Sequence, residues 1–91
     1  MKAKKIKMKS GCNASYDLLE IDEIFLSSYQ INGFYKKEVL YDYLMSATDS
    51  IQVDIYPYPY LIPALSIKNE KYVKSVANSS THDNLLSLPR V

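Results

Sequence analysis

The sequence predicts a small α+β domain, one helix covering one face of a largely antiparallel sheet of about five strands. Three observations lead there. Apolar and polar residues alternate with period two at 4–9 and again at 51–56, as in half-buried strands. Residues 36–47 instead repeat at helical spacing. A polar turn at Asn69-Glu70-Lys71 separates two short β-favouring runs, which is a hairpin pattern. Ninety-one residues are enough for one domain, 1–91, with a small core.

Taken in order, Lys4-Lys5-Ile6-Lys7-Met8-Lys9 reads as a strand with Ile6 and Met8 inward. Ser10-Gly11-Cys12-Asn13 is a turn, followed by irregular chain to Asp17. The later half of 18–28, with Ile24, Phe25 and Leu26, is a second strand antiparallel to the first. Asn32-Gly33 is expected to break the chain. The helix at 36–47 presents Val39, Leu40, Tyr43, Leu44 and Ala47 as its apolar face, while Lys37, Glu38 and Asp42 fall elsewhere.

Asp49-Ser50 closes the helix, and Ile51, Val53 and Ile55 give a third strand. Prolines 57, 59 and 63 exclude a central strand at 56–63, so an extended, polyproline-like loop or an edge segment is expected. Residues 65–68 and 72–76 form the hairpin arms. Leu85, Leu86 and Leu88 then return apolar groups to the body.

The totals narrow the function classes. Lys and Arg number 11 against 10 Asp and Glu, a net charge of +1, which argues against a polyanion mimic or a protein held on DNA by bulk charge. Cys12 is the single cysteine, so no intrachain disulfide forms and a reducing, cytoplasmic setting is the simpler expectation. Residues 1–9 are basic but lack the apolar run of a signal peptide, and no stretch approaches the ~20 apolar residues of a membrane span.

Candidate chemistry is sparse. His82 beside Asp83, with Ser79, Ser80 and Thr81, has the residue types of a triad. Neighbours on one loop do not converge as a triad needs, so an exposed polar turn is the expectation. Cys12 and His82 give no zinc spacing, and Asp17, Glu20, Asp22 and Glu23 lack the glycine-bearing loop of a calcium site. No catalytic residue, metal or cofactor is expected, and no enzyme activity.

Two binding hypotheses carry more weight. In Tyr56-Pro57-Tyr58-Pro59-Tyr60 the prolines stiffen the chain, so showing Tyr56, Tyr58 and Tyr60 to another protein costs less ordering entropy. A non-enzymatic protein-binding module or inhibitor is the leading expectation, with rings that merely cap the core as the plain alternative. The Lys, Ile, Tyr and Asn richness suits an AT-rich genome, so bacterial, phage or mobile-element origin is expected. The other hypothesis is single-stranded nucleic acid held by Lys5, Lys7 and Lys9 together with the tyrosines. Against it, Arg90 is the only arginine, and paired strands would set lysines opposite carboxylates.

The closing residues carry a resemblance. Tyr72-Val73-Lys74-Ser75-Val76-Ala77-Asn78 and Thr81-His82-Asp83-Asn84-Leu85-Leu86-Ser87-Leu88-Pro89 resemble the C-terminal signature of domain-of-unknown-function family 3892, small and mostly bacterial proteins. That signature is a hydrophobic strand, an Asp-Gly turn, then Thr-x-x-Asn or Thr-x-x-Asp with Asn-Leu-Leu-x-Leu-Pro. Asn78-Ser79 stands here where the family usually has Asp-Gly. The resemblance implies a strand pair, a helix and a C-terminal strand pair, and it brings no activity or cofactor. Physically, Thr81, Asp83 and Asn84 have the short side chains that close turns on backbone N–H groups.

Overall fold

The alternation at 4–9 becomes a strand of the expected polarity, β1 (Lys2–Met8), with Ala3, Ile6 and Met8 buried. The computed structural model describes residues 1–76 and 83–91. Among them, β1 is followed by a 3-10 turn (Leu18–Glu20), β2 (Ile21–Ser27), β3 (Asn32–Lys36), helix α1 (Lys37–Ser46), β4 (Gln52–Val53), β5 (Leu61–Leu65), β6 (Lys71–Ser75) and a second 3-10 turn (Asn84–Ser87). The class is α+β. In place of one sheet of about five strands there are two: four strands in the order β3-β2-β1-β4, and the hairpin β5-β6.

β1 runs antiparallel to β2 and parallel to the short β4, so the four-stranded sheet is mixed. Beyond β4, the edge of β1 is taken by the chain end: Ile6 N donates to Pro89 O at 2.9 Å, and Val91 N donates to Ile6 O at 3.1 Å. The core lies between the inner face of this sheet, the helix and the hairpin. It joins Ile6, Ile21, Ile24, Leu26 and Val53 to Leu40 and Leu44 of α1 and Leu61 and Val73 of the hairpin. Leu85, Leu86 and Leu88 are buried in the same cluster, as the tail leucines were expected to be.

Four expectations need correction. Asn32-Gly33 does not break the chain; it opens β3, which pairs antiparallel with β2. The turn lies earlier, where Ser28 N donates to Ile31 O at 2.7 Å and Ser28 Oγ accepts from Ile31 N at 3.1 Å. The third strand shrinks to Gln52–Val53, because the chain reverses and Val53 N donates to Pro59 O at 2.8 Å. The Tyr-Pro segment is accordingly a folded turn rather than a polyproline stretch, with Tyr58 N donating to Ile55 O at 2.6 Å, and the edge-segment alternative holds for 61–63, which lie in β5 of the two-stranded sheet. The first hairpin arm sits four residues earlier than read, over Leu61–Leu65, and contains Pro63. In the antiparallel ladder of β5 and β6 the bonded pairs alternate, and Val76 N bonding Tyr60 O puts Pro63 at a position that donates nothing to β6.

The helix keeps its limits, since Lys36 and Ala47 are its two caps. Its buried face is turned by one position. Lys37, Leu40 and Leu44 are inside, whereas Val39 (53% exposed) and Tyr43 (41%) are not. Reading Lys37 as polar misled the pattern: its stem packs inward at 2% exposure while its ammonium meets Glu38 at 2.9 Å and Glu70 at 3.3 Å. Burial works against the Lys37 charge, but the bonds to the two carboxylates outweigh it and raise its pKa above the ordinary lysine value.

Candidate interaction surfaces

Because the helix and hairpin cover only one face of the four-stranded sheet, side chains of the other face stand in cross-strand rows. The register aligns Lys5, Phe25 and Phe34 in one row and Lys7, Glu23 and Lys36 in the next. Lys5 Nζ lies 4.9 Å from the Phe25 ring centroid, and Phe25 meets Phe34 edge to face at 5.2 Å. A third row runs from Asn32 and Ser27 to Lys2, which pairs with Gln52 of β4.

That third row leads to the tyrosine turn. Lys2 Nζ lies 4.6 Å from the Tyr58 ring centroid, and Gln52 Nε2 donates to Tyr58 O at 3.1 Å. Tyr58 has φ 59, a left-handed conformation that costs a residue with a Cβ about 1–2 kcal/mol. Such a conformation persists where surrounding bonds over-determine it. Tyr56 is 82% exposed, and its ring meets that of Tyr58 edge to face at 6.1 Å. Tyr60, 39% exposed, stands apart from this pair: it bridges to Gln52 and its carbonyl accepts from Val76 N at 2.9 Å. The structure thus brings Tyr56 and Tyr58 together and leaves Tyr60 as a joint between the two sheets.

The three lysines of the nucleic-acid hypothesis diverge in environment. Lys7 lies 3.9 Å from Glu23 of the paired strand β2, as expected, whereas Lys9 meets the remote Glu70, just before β6, at 3.4 Å. Lys5 rests on Phe25 instead. Lys4 meets Asp54 at 3.7 Å and Lys36 meets Asp22 at 2.9 Å, so carboxylates are interleaved with much of the positive charge. Among the described residues, Lys2 and Lys5 form no ion pair.

The acidic cluster is dispersed as well. Asp17 caps the first 3-10 turn by accepting from Leu19 N at 2.9 Å, Asp22 and Glu23 meet lysines, and Glu20 accepts from Cys12 Sγ at 3.1 Å and from Ser15 Oγ. The bond to Glu20 pushes the Cys12 thiol up, with help from burial, and so keeps it in its less nucleophilic protonated form. Among the described residues, no group of three or more His, Cys, Asp or Glu could hold a metal ion. No helix among them is long and apolar enough to cross a membrane.

At the C-terminal turn, Asp83 accepts from Ser75 N at 3.0 Å, Ser75 Oγ at 2.7 Å and Leu85 N at 2.9 Å, while Asn84 is buried. Ser79, Ser80, Thr81 and His82 lie outside the described residues, as does Asn78. Asp83 also borders an open hollow of about 610 Å³ with Tyr16, Asp17 and Tyr72, but both carboxylates there are already engaged as caps.

Sequence reasoning missed two sets of residues. Phe25 and Phe34 were read as one strand residue and one residue after a break, and only the β2–β3 register makes them a pair. Arg90 stands out in the sequence only as the single arginine, yet its guanidinium donates to the carbonyls of Asn13 and Ser15 at 2.6 Å each and of Leu86 at 3.1 Å, above the Tyr16 ring. No signal in the sequence points to either arrangement. Compared with known proteins, the chain matches no family model, no curated protein and no solved structure.

Proposed function

We propose that this chain is a non-enzymatic protein-binding module that makes its contact through the turn bearing Tyr56 and Tyr58. The observation that carries the reading is the exposed ring pair on a turn pinned by hydrogen bonds, with the Lys2 cation against one ring. A preset turn loses little entropy on docking, and tyrosine is enriched among interface residues that dominate affinity. Lys2, uncommitted to a carboxylate, borders the pair, so the surface fits a partner that offers a carboxylate beside apolar groups. Action as an inhibitor of a host protein, a cytoplasmic setting and membership of family 3892 belong to the same proposal.

The test compares wild type with Tyr56→Ala and Tyr58→Ala in a pull-down read by quantitative mass spectrometry, with circular dichroism to show that both variants fold. A hot-spot loss of about 2 kcal/mol predicts roughly thirtyfold weaker capture of the partner. Equal capture by all three chains removes the reading.

Nucleic-acid binding draws less support, because Lys7 and Lys9 sit beside carboxylates. What favours it is the Lys5–Phe25–Phe34 row, a cation with aromatic rings on an open sheet face. It predicts a gel shift with single-stranded oligonucleotides at low salt that fades steeply as salt is added. A blank gel at low salt retires it.

A further inference from the structure

The edge of the sheet farthest from the tyrosine turn is built differently. The hairpin bond from Ser28 N to Ile31 O sets the alternation of the β2–β3 ladder, so Gly33 and Tyr35 bond inward to β2. Asn32 and Phe34 therefore turn their N–H and C=O groups outward, along an edge that nothing pairs among the described residues. This edge lacks the usual protections against strand addition: it has no proline, no bulge against β2, and its one charge, Lys36, is held by Asp22.

Beneath the same edge lies an apolar groove of about 110 Å³. Its walls are Leu26, Ile31 and Tyr35 of the sheet side, and Val39, Leu40 and Tyr43 of α1. Gly33 lies on the same inner face, between Ile31 and Tyr35 and opposite Leu26, and a Cβ built on it meets nothing within 4 Å. One side chain is missing from an otherwise continuous apolar wall.

We infer that this edge pairs with β3 of a second copy of the chain, antiparallel about a two-fold axis through Phe34. The strand is self-complementary in that register. Phe34 faces Phe34 of the second copy and exchanges both backbone hydrogen bonds with it, and Asn32 faces Lys36, so no like charges meet. On the inner face Gly33 falls opposite Tyr35 of the second copy, whose ring covers the missing side chain and enters the groove. An aromatic residue across from an edge glycine is a stabilising cross-strand pair. On the outer face the Phe25–Phe34 contact extends into a strip of four rings. The exposed Val39 and Tyr43, which the helix pattern assigned to the core, border this contact. Most soluble homo-oligomers close with this symmetry. The pairing stands independently of the tyrosine turn, which lies at the other end of the sheet.

Sedimentation velocity on the full chain, from micromolar concentrations to about 1 mM, tests it. Wild type is expected to shift from monomer to twice the mass. Gly33→Val is expected to remain monomeric over the whole range, because its side chain occupies the space that Tyr35 of the second copy needs. The same change leaves the fold intact, since the site has room and valine favours strands. Oxidised Phe34→Cys in a Cys12→Ser background is expected to give a covalent dimer, the Cα separation of a bonded antiparallel pair, about 5.5 Å, being within disulfide reach. A wild-type chain that stays monomeric near 1 mM overturns the inference and leaves the edge for a foreign strand. So does a Gly33→Val chain that dimerises like wild type, or a dimer that Phe34→Cys does not cross-link.

Discussion

Asp83→Ala is expected to destabilise the fold by about 2–4 kcal/mol, a fall in Tm of at least about 8 °C for a chain of this size. Asp83 holds two parts of the structure at once. One oxygen caps the 3-10 turn by accepting from Leu85 N at 2.9 Å, which sets the entry of the three buried leucines into the core. The same carboxylate accepts from the backbone N–H and hydroxyl of Ser75, which is 4% exposed at the end of β6. Alanine leaves that buried N–H without its acceptor, and an orphaned donor costs more than the bond contributed when made.

Asp83→Asn keeps one acceptor oxygen and is expected to fall between wild type and alanine. Urea unfolding of the three chains provides the measurement. Because the whole stability of such a domain is on the order of 5–15 kcal/mol, the alanine loss would be large. An Asp83→Ala midpoint equal to that of wild type would mean the turn is held by something else.

The Lys37 cluster should show the opposite asymmetry. Lys37→Met is expected to change stability by no more than about 1 kcal/mol at neutral pH, since replacing a buried cation by an apolar group of similar shape removes its desolvation cost along with its bonds. The double change Glu38→Gln and Glu70→Gln is expected to be the more harmful, because it leaves the Lys37 ammonium buried without its carboxylates.

The pH dependence carries a sign. For Glu38, partial burial acts upward, but the Lys37 bond and a backbone N–H bring its pKa below the ordinary 4.5. For Glu70, the Lys37 bond acts first and downward, against partial burial, with the same net direction. Groups whose folded values are depressed contribute stability that is present above 4.5 and lost as pH falls through those lower values. Lys37 itself, raised above 10.5, contributes below that value and ceases to as pH rises through its folded pKa. Unfolding free energies measured from neutral to acid pH should therefore drop more steeply for wild type than for Lys37→Met. Parallel curves for the two chains would show that the carboxylates owe their low values to something other than Lys37.

What could be read along the chain was whatever repeats locally. Ile6 and Met8 alternate with lysines and point inward, Leu40 and Leu44 recur at helical spacing and are buried, and the Asn69 region turns the hairpin, with Asn69 itself at φ 63. Asp83 was recognisable as a turn former because an Asx cap is made with a backbone N–H two residues away. Each of these features depends on a few consecutive residues, so the α+β class followed from them.

The features that shape the candidate surfaces depend on residues far apart in sequence. Gly33 looked like a break because glycine usually is one, yet here β2 supplies the ladder and Leu26 the neighbour that make it a strand residue. Lys37 looked solvated, and of the two carboxylates that meet its buried ammonium only Glu38 is local, while Glu70 comes from thirty-three residues on. The tyrosines were expected along an extended segment, but the bond from Val53 to Pro59 folds that segment and leaves one pair of rings against Lys2. Periodicity reports which face a side chain takes. It carries no information about which remote group will stand opposite, and burial of charge, cross-strand ring contacts and open edges are all properties of that opposite group.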